Sequence, residues 1–110
     1  MFIFKEFSSD KNCYKRIMFV EICKLIMQLY SKNFFKMYYY QSIIKLAQDP
    51  VVNVRISFIK ILPDLKKIWR LQNDRDKLEN LETIARNFFH DRDKDVFELA
   101  QKVNSKSIMI

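Results

Sequence analysis

Leu46-Ala47-Gln48-Asp49-Pro50-Val51-Val52-Asn53-Val54-Arg55-Ile56-Ser57-Phe58-Ile59-Lys60-Ile61-Leu62-Pro63-Asp64-Leu65 is the stretch that decides the fold. After Asp49-Pro50, the residues Val54, Phe58, Ile61, Leu62 and Leu65 recur at three- and four-residue intervals, the stripe of an amphipathic helix. The residue before a proline avoids the helical region, so one helix should stop at Asp49 and another begin just beyond it. Asp49 is expected to cap the second helix, with Pro50 near its first position. That helix is predicted over 51–69, with Trp69 closing its stripe and Pro63 kinking or dividing it.

The same turn recurs along the chain. His90-Asp91-Arg92-Asp93-Lys94-Asp95-Val96 sets Asp91 against Asp49, Asp95 against Asn53 and Val96 against Val54, an offset of 42 residues. Ser9-Asp10-Lys11-Asn12 gives a weaker copy at an offset of 39, and Asp10 stands as far from Arg16 as Asp49 does from Arg55. Two offsets near forty are what an array of stacked helix pairs requires. One pair is too small to bury both of its apolar faces, and stacking neighbours builds a continuous core. Arg55, one turn into its helix, is placed to reach an acidic turn of a neighbouring unit.

Four further helices follow from periodicity. One is predicted over 13–30, where Glu21, Lys24 and Gln28 make one narrow polar face and nearly everything else is apolar. Such a helix needs neighbours on more than one side. A second, over 34–48, carries the rhythm Phe35, Tyr38, Tyr39, Ser42, Ile43 and Leu46. A third, over 76–89, is the cleanest amphipath, with Leu78, Leu81, Ala85 and Phe88 opposite Glu79, Glu82, Thr83 and Arg86. The last, over 94–103, turns Val96, Leu99, Ala100 and Val103 inward. Asp95 and Glu98 have the spacing of a capping box. Residues 104–110 have no periodicity and are expected to fray.

Composition agrees with an all-helical chain. It has no glycine and only two prolines in 110 residues, whereas hairpins need turn residues. Nearly half of it is apolar (49%), enough for a packed core. The net charge of +7 is uneven: residues 1–48 carry +5 and residues 70–110 are balanced. A basic half can meet nucleic acid, acidic lipid or an acidic protein, but a solvated basic face is the plainer reading and nucleic acid the weaker one. Cys13 and Cys23 lie in an apolar helical stretch and make no disulfide framework, so they read as buried reduced thiols, as in a cytosolic or nuclear protein, and a cytoplasmic location is expected. Apolar runs are too short or too interrupted for a signal peptide or a membrane span.

No constellation for catalysis is visible, so the chain is read as a non-enzyme without cofactor or metal. The single histidine, His90, sits at a helix end and suits a C-terminal cap near the helix dipole better than a general base. Asp91, Asp93 and Asp95 alternate as in a calcium loop. No glycine supplies the sharp turn and no glutamate closes the loop, so a capping turn is the better reading. The aromatic run Phe34-Phe35 and Tyr38-Tyr39-Tyr40, beside Lys32 and Lys36, could stack bases. Consecutive helical positions face different ways, however, and most of these rings should be core.

The run Asp49-Pro50 with Asn53-Val54-Arg55 resembles the turn of HEAT repeats of the protein phosphatase 2A scaffold type, which carry D-P-x-x-N-V-R between their two helices. Phe97 stands where that pattern has arginine, and Arg92 where it has proline. The resemblance implies an all-α, α-α superhelix (a HEAT-like solenoid) of about five helices: two full helix pairs plus one preceding helix. Units fall near 9–30 (partial), 34–69 and 76–103, and the chain is expected to be a piece of a longer solenoid, with dimerisation over the exposed first helix as the competitor. The resemblance further implies a non-catalytic regulatory or scaffold subunit whose partner is a phosphatase catalytic subunit, along with neighbouring repeats. Partner contacts would come from the turns: Asp49, Pro50, Asn53, Val54, Arg55, Asp91, Asp93 and Asp95. A generic, transport-receptor-like HEAT protein-binding module is the alternative, and a basic nucleic-acid-binding helical domain the weaker one.

Overall fold

A computed structural model describes the backbone of residues 2–69 and 72–108 and the side chains of residues 6–69 and 72–103. The described residues contain helices and turns and no strand. Helices are α1 (Cys13–Leu29), α2 (Lys32–Tyr38), α3 (Tyr40–Ile44), α4 (Val52–Lys67), α5 (Arg75–Asn87) and α6 (Lys94–Ile108). Short 3-10 segments cover Phe2–Ser9, Lys45–Gln48 and Phe88–His90. No described residue has a positive φ, so no described turn uses the left-handed region. The chain forms two compact units, Met1–Phe58 and Ile59–Ile110, with α4 entering both.

The first unit is built on a helical reversal. Asn12 caps α1 by accepting the Tyr14 N–H at 2.8 Å. At the other end Tyr30 turns extended, and Ser31 caps α2 by accepting the Phe34 N–H at 3.1 Å. Two residues therefore join α1 to α2. Phe19, eleven positions before that joint, meets Tyr39, eight positions after it, with ring centroids 6.2 Å apart. The two stretches thus run antiparallel. Phe19, Val20, Cys23 and Ile26 of α1 are buried, as are Phe35, Tyr39, Tyr40 and Ile43 of the returning stretch.

Several expectations about element boundaries are corrected. The helix predicted over 34–48 is divided at Tyr39, whose backbone (φ −124°, ψ −24°) leaves the α region, and its last turn tightens to 3-10 at Lys45–Gln48. Pro63, conversely, does not divide α4. Backbone bonds on both sides of the missing N–H carry the helix through, and Val54, Phe58, Ile59, Ile61, Leu62 and Leu65 bury it on a broad face. α6 continues to Ile108, beyond the point where fraying was expected. Met109 and Ile110, at the end of that tail, lie outside the described residues. Residues Phe2–Ser9, assigned no helix from the sequence, form a 3-10 helix that packs on α1.

In the second unit, Lys66 near the end of α4 pairs with Glu82 of α5 at 2.9 Å. Leu62 and Pro63 share an apolar recess with Ala85, Phe88, Ala100 and Val103. The chain thus reverses between α4 and α5, and α6 returns to close the recess. Leu81, Ala85, Phe88, Val96 and Ala100 are buried as predicted, while Leu78, Leu99 and Val103 are half-buried.

Both cysteines are free thiols; Cys23 is fully buried and Cys13 half-buried. Burial pushes the Cys23 thiol well above its ordinary range, because the thiolate would be desolvated. A thiol reagent should label native Cys13 first and Cys23 on the order of a hundredfold more slowly, at the rate of unfolding. Peptide mapping after timed alkylation checks this; equal rates would contradict the packing of α1.

Candidate functional site

The recurring aspartate turn is one hydrogen-bonded structure built three times. Each copy ends a 3-10 segment: Asp10, Asp49 and Asp91 donate their N–H to the carbonyls of Phe7, Leu46 and Phe88 at 3.3, 3.2 and 3.2 Å. Each aspartate then folds its side chain back. Oδ1 of Asp10, Asp49 and Asp91 accepts the N–H two residues on, from Asn12, Val51 and Asp93, at 2.8, 2.9 and 2.9 Å. This Asx turn is local chemistry that Asp and Asn provide and apolar residues cannot.

The helix caps stand two residues after each aspartate, which corrects two expectations. Asp49 does not cap α4; it sets the turn before it, and the Val51 carbonyl takes the N–H groups of Val54 and Arg55 at 3.1 and 3.2 Å. Asp95 is not the cap of α6 either. Asp93 is, with Oδ1 accepting from Asp95 at 2.9 Å and from Val96 at 3.2 Å. The sequence signal was present in Asn12 and Asp93, both two positions past the turn aspartate. Capping-box spacing drew the assignment to Asp95 instead.

Arginine completes two of the three turns. Nη1 of Arg16 donates to the Asp10 carbonyl at 2.7 Å, and Nη1 of Arg55 to the Asp49 carbonyl at 2.8 Å. Phe97 occupies the equivalent position in the third copy. Arg16 also reaches the next turn: its Nε and Nη2 grip Asp49 Oδ2 and Oδ1 at 2.7 and 3.1 Å. The two side chains are only 12% and 5% exposed, so this is a bidentate pair largely withdrawn from water. The hydrogen bond to Asp49 holds the Arg16 guanidinium protonated above its already high range, against the desolvation that opposes it. Sequence reasoning placed the link between turns on Arg55 and missed Arg16, although both stand six residues after a turn aspartate.

The predicted site residues separate by exposure. Val54 and Asp49 are buried; Arg55, Asp91 and Asp93 are half-buried; Pro50, Asn53 and Asp95 face solvent. Among the described residues no group of three or more His, Cys, Asp or Glu side chains could hold a metal ion. No described helix is long and apolar enough to cross a membrane. Of the aromatic run, Phe35, Tyr39 and Tyr40 are core, and Phe34 stacks on Tyr30 with centroids 5.2 Å apart.

Comparison with known proteins finds the serine/threonine-protein phosphatase 4 regulatory subunit 4 of Mus musculus and that of Homo sapiens, each 30% identical to this chain over 101 residues. The match covers 91% of this chain and 12% of each relative, so the chain spans about an eighth of their length. No family model matches the chain. No solved structure matches it.

Proposed function

We propose that this chain, related in sequence to serine/threonine-protein phosphatase 4 regulatory subunit 4, is a HEAT-type section of a non-catalytic regulatory or scaffold subunit. In this reading it works in the cytoplasm and binds a protein phosphatase catalytic subunit, or that enzyme's substrates. The observation that carries the reading is the aspartate turn built at Asp10, Asp49 and Asp91 with one set of hydrogen bonds. Its spacing suits units near 9–30, 34–69 and 76–103, and repeat arrays commonly serve as extended binding surfaces. The phosphatase partner rests on the relatives' name and so on analogy rather than on site chemistry.

Exposure divides the turn residues between two roles. Asp49 and Val54 are committed to the interior, and Arg55, Asp91 and Asp93 hold the turns together. Pro50, Asn53 and Asp95 are left as the partner-facing positions. Purified protein phosphatase 4 catalytic subunit should bind the full chain saturably in calorimetry. Asn53→Lys combined with Asp95→Lys should weaken binding about tenfold or more, as loss of one well-placed contact can (about 1.4 kcal/mol per tenfold), with an unchanged melting curve. Absence of binding at tens of micromolar would overturn the phosphatase partner. Undiminished binding by the double variant would overturn the turn as the contact.

A further inference from the structure

We draw no further inference here: the strongest candidate, the exposed apolar stripe of Tyr14, Met18, Leu25 and Leu29 along α1, is a helix face for which nothing in the structure shows what covers it.

Discussion

Replacing Asp49 with alanine is expected to lower the unfolding free energy by about 3–5 kcal/mol, the cost of leaving one member of a buried ion pair without its partner. The substitution strips Arg16 of both carboxylate bonds and also removes the acceptor of the Val51 N–H. Asp49→Asn separates these losses, since an amide oxygen can still accept from Val51 while the charge is gone; it should fall between wild type and alanine. A double-mutant cycle with Arg16→Met isolates the pair itself. Urea unfolding should give a coupling above about 1.5 kcal/mol, as close buried charge pairs do. A cycle that closes at zero would mean that the two turns are held apart from this link. Against a total stability of about 5–15 kcal/mol, Asp49→Ala removes a large share.

Tyr39→Ala should cost a similar amount, about 3–5 kcal/mol, as large aromatic truncations in cores do. Tyr39 is fully buried, with ring centroids 6.0, 6.2 and 6.3 Å from Phe34, Phe19 and Phe35. It is also the residue at which the α2–α3 stretch leaves helical geometry. Removing it empties the junction between α1 and its antiparallel partner. Desolvation raises the Tyr39 phenol above its ordinary range. The folded state therefore keeps its proton at a pH where the unfolded chain, near its usual value of about 10, has begun to lose it. Stability should decline as the pH rises past that value, and Tyr39→Phe should flatten the decline. Denaturant midpoints at neutral pH and above pH ~10 test both parts. A parallel decline in the phenylalanine variant would assign the alkaline loss elsewhere, beginning with the buried Cys23 thiol.

The recurring aspartate turn was legible because it is written in local chemistry. An aspartate acting on the N–H two residues ahead needs no knowledge of the rest of the chain, so Asp10, Asp49 and Asp91 announce themselves at offsets of 39 and 42. The helices from Cys13 and Lys94 were legible for the same reason. What could not be read was decided at long range. Tyr39 interrupts its helix without proline or glycine, at a point where the Phe19 ring of α1 meets it. Arg16 was visible as a turn arginine, but its grip on a carboxylate 33 residues away depends on how α1 lies. Pro63 shows the reverse: of the kink or division expected there, the division does not occur, because burial along both halves of α4 outweighs the local penalty. The exposure of the turn residues was not legible, since sequence spacing cannot distinguish buried Val54 from exposed Asn53.

The absence of left-handed backbone from the described turns has a consequence for the denatured chain. Glycine loses more freedom on ordering than any other residue, and proteins normally accept that loss where a turn demands the left-handed well. Here no described turn demands it, and the sequence contains no glycine. The disordered ensemble is correspondingly narrower, and ordering it takes away less entropy per residue than in a glycine-bearing domain of equal length. Introducing glycine at any of these turns should loosen the unfolded state while giving the native one nothing in return.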